Sequence, residues 1–160
     1  MTQDEVRAFL DEERTVVCAT NGTDGFPHLM PLWFVLRDDE LWSWTFAKSQ
    51  KVRNLERDPR ATLQVEAGSE YHELRGVMLK TDVTIHRHTD RVAELGLELF
   101  RRYQVGGRGN DRVSHLGGGG ELSDDVRAMV QAQAPKRVAL QFTERARATW
   151  DHRKLDSAVY

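Results

Sequence analysis

The spacing of apolar residues changes character several times along the chain. Val6, Phe9 and Leu10 recur at helical intervals behind Thr2-Gln3-Asp4-Glu5, which reads as a capping box with Thr2 as N-cap and Glu5 reaching back. A short amphipathic helix is therefore predicted from Thr2 to about Glu13. Arg14 to Thr20 is β-branched and apolar around Cys18, the pattern of a buried strand. Asn21-Gly22 and Asp24-Gly25 are turn dipeptides, and Phe26 to Leu36 reads as one long strand that completes a hairpin. Asp38-Asp39 is the next turn, and Glu40 to Thr45 returns as an aromatic-rich strand.

Lys48 to Asp58 reads as a helix, with Ser49 as N-cap, Val52 and Leu55 on one face and Asp58-Pro59 as the stop. Arg60 to Glu66 is a strand closed by Gly68. Leu74 to His86 alternates around Val77, Leu79, Val83 and Ile85, a long strand with an expected interruption near Gly76. Asp90 to Gln104 is helical, with Val92, Leu95, Leu99, Phe100 and Tyr103 inward. Gly106 to Gly120 holds seven of the twelve glycines. Ser123 caps a helix bearing Val126, Met129 and Val130, and Arg137 to Phe142 and Ala146 to Asp151 close the chain as two strands. Turn-linked strands in series with helices at the margins predict a mostly β, antiparallel sheet that closes on itself. No strand–helix alternation with a GxGxxG turn is present, which argues against a dinucleotide-binding Rossmann fold.

The length of 160 residues fits one domain, residues 1–160. With 39% hydrophobic and 30% charged residues the chain reads as a globular protein rather than a disordered one. The net charge of −2 lacks the basic excess of a general nucleic-acid binder. No run approaches a membrane span, and Met1 to Leu10 has no signal core, so no membrane association and a cytoplasmic location are expected. The location also voids the Asn21-Gly22-Thr23 sequon. Cys18 is the single cysteine, which excludes an internal disulfide and a cysteine-cluster zinc site.

The most informative stretch runs from Trp42 to Leu55. An aromatic strand leads into a helix whose first turns carry Lys48, Ser49, Lys51 and Arg53. A helix N-terminus suits a phosphate, whereas its dipole disfavours cations. Lysines there ask for an anion, or else form a solvated basic face. Trp42 and Trp44 alternate with Ser43 and Thr45, so the rings share one face and the hydroxyls the other. The glycine-rich segment lacks the Gly-Lys-Ser/Thr ending of a phosphate loop and reads as a mobile loop or a lid. His86 and His88 are too few for a zinc site and read as surface residues, so no metal is expected. Trp33 and Trp42 read as core. Trp150, followed by Asp151-His152-Arg153-Lys154, reads as an interface or pocket-rim residue.

Several segments in order resemble a known family: Gly25-Phe-Pro-His-Leu-Met-Pro-Leu-Trp-Phe34, Trp44-Thr45, Lys48-Ser-Gln-Lys-Val-Arg-Asn-Leu55, Arg57-Asp-Pro-Arg60 and Glu73-Leu-Arg-Gly76. Together they resemble the split-barrel flavin-binding family of pyridoxamine 5′-phosphate oxidase-like proteins. Within it, the chain is most similar to the short actinobacterial flavin/deazaflavin-dependent oxidoreductases. Thr149-Trp-Asp-His-Arg-Lys-Leu155 resembles a recurrent ending of that subgroup.

The resemblance implies a split β-barrel homodimer with two cofactor sites at the subunit interface, holding FMN or coenzyme F-420 by its phosphate. Carried over by position, Thr45, Ser49 and Lys51 contact that phosphate, with Lys48 and Gln50 beside them. Met30, Pro31 and Trp33 lie along the ring system, with Trp44 in the aromatic wall. His72 stands near the flavin, and Trp150 approaches from the partner. The implied function is hydride transfer to or from a small organic substrate. No acid–base residue is assigned, with His28 and His72 as the residues to test. The chain lacks the C-terminal segment that recognises pyridoxal phosphate, which argues against pyridoxamine phosphate as substrate. A non-catalytic carrier of the cofactor or of haem is the alternative, and a structural dimer with no cofactor a third. Arg53, Arg57, Arg60, Arg101, Arg102, Arg108 and Arg112 are the cations expected to favour the anionic tail of F-420 over FMN.

Overall fold

The computed structural model describes residues 1–104 and 122–155. The segment Gly106–Gly120, with Arg108 and Arg112, lies outside the described residues. Seven strands among the described residues form one sheet: β1 (Val16–Asn21), β2 (Pro27–Leu32), β3 (Val35–Arg37), β4 (Glu40–Phe46), β5 (Arg60–Ala67), β6 (Arg75–His86) and β7 (Arg137–Asp151). Their order is β2-β1-β5-β6-β7-β4-β3, and every pairing is antiparallel. β2 also comes against β4, so the sheet curls toward closure. A mostly antiparallel sheet with a few helices at its margins is consistent with a split barrel.

Among the described residues four α-helices cover the sheet: α1 (Gln3–Glu12), α2 (Gln50–Arg57), α3 (Thr89–Gln104) and α4 (Asp124–Gln133). The capping box of α1 forms as its residues dictate, with Glu5 N–H donating to Thr2 Oγ1 at 3.3 Å and Thr2 N–H to Glu5 Oε2 at 2.7 Å. Its face of Val6, Phe9 and Leu10 joins Val52 and Leu55 of α2 in the barrel core, around Cys18, Leu63, Val77 and Phe142. The opposite face of β4 and β7 carries a second core, in which Trp42 and Ala139 pack with Val92, Leu95 and Leu99 of α3 and Val126 and Val130 of α4.

Three strand expectations are corrected. The run from Phe26 to Leu36 is not one strand. It breaks at Trp33-Phe34, where the Phe34 N–H donates to the Tyr103 hydroxyl at 2.9 Å and that hydroxyl has the Arg14 carbonyl, and the Phe34 carbonyl at 3.2 Å, as acceptors. The two C-terminal strands are instead one continuous β7. Lys80 pairs with Ala146 and Thr81 with Glu144, so a bulge at Arg145 absorbs the polar stretch that reads as a break in the sequence. Gly76 does not interrupt β6. It stands opposite Trp150 on β7, and a Cβ there would lie 2.1 Å from Trp150 Cζ2. The missing side chain is the space the indole occupies.

Gly76→Ala is therefore expected to lower unfolding stability by about 1–3 kcal/mol, the usual cost of forced repacking. The loss should be smaller when introduced into Trp150→Ala. Urea denaturation of the four variants checks the pair; equal losses in both backgrounds would dissociate Gly76 from the indole.

Candidate functional site

The alternation of β4 sorts its side chains into two environments. Ser43 and Thr45 are buried, while Trp42 and Trp44 join the layer under α3 and α4. Ser43 Oγ donates to the Trp33 carbonyl at 2.7 Å, tying β4 to the break after β2. At the end of β4 the chain turns through Ala47 and Lys48 into α2.

Ser49 is the N-cap residue of α2, with extended backbone, as its position before the helix predicts. Its hydroxyl makes no capping bond. Oγ is buried and has no hydrogen-bond partner among the described residues. Two residues on, Lys51 is only 5% exposed, and its Nζ donates to Thr45 Oγ1 at 3.0 Å. None of the ion pairs among the described residues includes Lys51. Burial pushes its pKa below the ordinary lysine value. The neighbouring Cys18 thiol supplies no counter-charge, because burial pushes it up to about 12 against the pull of the Lys51 ammonium. A cation in the first turn of a helix also opposes the helix dipole. One anion beside Lys51 and Ser49 would relieve the dipole, the desolvation and the unpartnered hydroxyl together.

A polar chain fixes α2 over the barrel. Gln50 Nε2 donates to Asn54 Oδ1 at 2.9 Å, Asn54 Nδ2 to Thr20 Oγ1 at 3.1 Å, and Thr20 Oγ1 to the His28 carbonyl at 3.5 Å. Asn54 and Thr20 are buried. Sequence reasoning passes over both, although Asn54 falls one turn from Lys51 on the face that carries Leu55.

The structure brings Thr45, Ser49 and Lys51 together. Register puts Met30 opposite Cys18 and His28 opposite Thr20, so both share the β1 face that α2 covers. Lys48 and Gln50 are exposed at the same turn. Other expected site residues are elsewhere. Trp44 lies on the opposite face of β4, its ring meeting Phe100 edge-on with centroids 6.3 Å apart. Pro31 pairs with Val17 on the outer face of the sheet. Trp33 is 42% exposed rather than core, and stacks on Tyr103 at 4.3 Å. His72 is exposed in a 3-10 turn, Tyr71–Glu73, that leads into β6. Trp150 is at that same end, since Gly76 is its partner on β6. Val138, the partner of Thr45, is twelve positions back along β7, roughly 40 Å of extended strand. Within one chain, His72 and Trp150 do not meet the lysine site.

The arginines expected for an anionic tail are mostly engaged. Arg57 donates to the Asn21 carbonyl, and Arg60 grips Asp58 through two nitrogens at 2.8 and 2.7 Å. Arg102 serves the carbonyls of Leu10, Asp11 and Glu13. A cleft of about 540 Å³ opens elsewhere, lined by Ala19, Asn21, Thr62, Lys80 and Arg145 among others. Arg60 and Arg145 in its lining are paired with Asp58 and Asp82, and Lys80 there is exposed, so the cleft lacks the buried uncompensated charge of the Lys51 site.

The family model for pyridoxamine 5′-phosphate oxidase matches residues 2–116, more than two thirds of the chain. The chain belongs to this family. Rv2991, a conserved hypothetical protein of Mycobacterium tuberculosis, is 34% identical over 96% of this chain and 87% of its own, with a TM-score of 0.80. An F-420 reductase shares the fold at 20% identity over 92% of this chain and 98% of its own (TM-score 0.62). The heme storage protein HutZ of Vibrio cholerae shares it at 12% identity over 93% of each chain (TM-score 0.65). No curated protein matches the sequence. No helix among the described residues is long and apolar enough to cross a membrane.

Replacing Lys51 tests the electrostatic account without any ligand. Ligand-free Lys51→Met is expected to be as stable as the parent at pH 7, or more stable by about 1 kcal/mol, since it removes an uncompensated buried charge. The sign follows from linkage. The folded pKa is depressed, so between it and the ordinary value of about 10.5 the unfolded chain binds more protons and parent stability rises with pH. The difference between the two proteins should therefore shrink as pH climbs toward 10.5. Denaturation curves across pH check it; a variant less stable by over about 2 kcal/mol would mean that Lys51 already has its counter-charge.

Proposed function

We propose that this protein binds a flavin-type cofactor, coenzyme F-420 or FMN, by its phosphate and acts as an oxidoreductase on a small organic substrate. The observation that carries the reading is the buried Lys51 ammonium with one hydroxyl partner, next to the unpartnered Ser49 hydroxyl at a helix N-terminus. These residues fit a phosphate: a charged donor, two hydroxyls and first-turn backbone N–H groups suit a tetrahedral anion. Membership of the family and the likeness in fold to an F-420 reductase support it. When bound, such a cofactor supplies hydride transfer.

The chain's own residues hold and orient the group. Lys51 neutralises the phosphate, with its position set by Thr45. Asn54 and Gln50 keep α2 against β1 and β2. Exposed Lys48 and Arg53 lie close enough in sequence to meet charge beyond the phosphate. The edge strand β2 lends its free backbone side and Met30 to the ring system.

The site is completed by a second copy. The outer face of the sheet carries two rows in which apolar residues outnumber polar ones: Pro31, Val17, Gln64, Met78 and Ala148 in register, then Leu29, Ala19, Thr62, Lys80 and Ala146. A face of this kind is suited to burial against itself about a two-fold axis. Such pairing gives Trp150 and His72 a route to the partner's cofactor that they lack within their own chain.

FMN or F-420 mixed with the protein and passed through a desalting column should leave its absorbance with the protein. Lys51→Ala should bind it about 10- to 150-fold more weakly, the range of a charge-assisted contact. Sedimentation at micromolar concentration should show a dimer. A preference for F-420 over FMN, if carried by Lys48 and Arg53, should shrink with added salt, because exposed contacts are screened first. Unchanged affinity in Lys51→Ala would overturn the phosphate site, and FMN binding tighter at every salt concentration would assign FMN.

A further inference from the structure

Arg137, where β7 begins, stands opposite Phe46 at the end of β4. Its guanidinium carbon lies 4.3 Å from the centroid of Trp44 and 4.1 Å from that of Phe46. The group is half-buried, and burial lowers its pKa. Among the described residues it has no ion pair, and its Nε is buried without a hydrogen-bond partner. The two rings attract the cation but satisfy none of its five N–H donors. Four residues earlier, Gln133 Oε1 is likewise buried without a partner. The Ala47 N–H donates to the Lys136 carbonyl at 3.0 Å, which brings the segments carrying Lys48 and Lys136 together. Both lysines are exposed and neither is in an ion pair among the described residues. Phe46 is 51% exposed beside the guanidinium.

A charged donor atom withdrawn from water, as Nε is here, ordinarily has a partner. A planar fork of donors between two rings matches a carboxylate, which it can take in a bidentate way, better than a bare spherical ion. The exposed Phe46 ring next to it offers a surface for an apolar body. The alternation of β4 puts this cation on the opposite face of the strand from Thr45 and Lys51, so it is not part of the phosphate cradle. We propose that Arg137 is the centre of a second binding site, which takes the carboxylate of a small organic acid whose apolar part lies against Phe46. The site stands independently of the cofactor reading.

The probe is 2-naphthoate, with 2-naphthol as its uncharged counterpart and inorganic sulfate as the bare anion, each titrated calorimetrically into the full-length protein. Naphthoate should bind wild-type and Lys51→Ala alike. Naphthol and sulfate should bind about tenfold or more weakly, and Arg137→Gln should lose about tenfold or more in naphthoate affinity, with partial recovery in Arg137→Lys. Where Arg137→Gln does not fold, the Arg137 Nε–H resonance, identified by its absence from Arg137→Lys, should move with naphthoate and stay still with naphthol. Three results would overturn the proposal: no naphthoate binding to wild-type at millimolar concentration, equal binding by Arg137→Gln, or sulfate binding as tightly as naphthoate. Loss of naphthoate binding in Lys51→Ala alone would assign the acid to the phosphate cradle and overturn it too. Failure of the cofactor at Lys51 leaves all of these readouts in place.

Discussion

A lysine ammonium almost removed from water, with one hydroxyl to bond, is the constraint around which this end of the molecule is arranged. Its charge is expensive where it stands, and the cost is not recovered within the described chain. The surrounding structure holds it there by other means. The apolar face of α2, Val52 and Leu55, is anchored in the barrel core. Asn54 ties the helix to Thr20, and Thr45 gives the ammonium its single fixed contact. Hydrophobic burial thus carries a cation into a position that electrostatics alone would reject. Such preorganised charge needs little rearrangement when an anion arrives, which is how a protein turns folding energy into affinity.

The same strand explains why a second uncompensated cation can exist close by in sequence yet remain separate. Period-two alternation sends Thr45 into the barrel and Phe46 to the other side. β4 therefore separates two chemistries with the thickness of one sheet: a hydroxyl–ammonium pair inside, and a guanidinium among aromatic rings outside. Gly96 on α3 belongs to the outer arrangement. A Cβ there would come within 2.6 Å of Trp44 Cζ3. The absence of that side chain lets the helix settle on the tryptophan, whose ring also meets the Arg137 guanidinium.

How much of this could be read from the chain depends on how local the signal is. The alternation of Trp42 to Thr45, the N-cap position of Ser49 and the capping box of α1 are all dictated within a few residues, and all are present in the fold. The break at Trp33-Phe34 is not local. It is met by Tyr103, some seventy residues away, whose hydroxyl accepts from the Phe34 N–H. The bulge at Arg145 is similarly a matter of pairing between β6 and β7. In the site, Lys51 is legible because a cation in a first helical turn conflicts with the dipole. Its burial is not, since lysine is usually exposed and only the tertiary approach of β4 covers it. Arg137 carries no local signal at all: a lone arginine at the start of a strand is ordinary until the rings around it are known. The arginines that do look like a charged cluster, Arg57, Arg60 and Arg102, turn out to be engaged with a carboxylate or with main-chain carbonyls.

A site built on a strained charge also couples binding to stability in a definite way. An anion that binds at Lys51 in the folded state alone would stabilise the fold by an amount set by its concentration relative to Kd. The buried ammonium raises that coupling, because the ligand removes a penalty the free protein carries. The outer face of the sheet carries apolar side chains in register, interspersed with Thr62, Gln64 and Lys80. If a second copy covers that face, subunit pairing and cofactor binding stabilise the same assembly, and neither equilibrium is independent of the other. The single chain then holds Thr45, Ser49 and Lys51 in place while Trp150 and His72 stand at the far end of β7. That distribution makes sense for a site whose anchoring charge is intrinsic to each chain and whose walls are assembled by pairing.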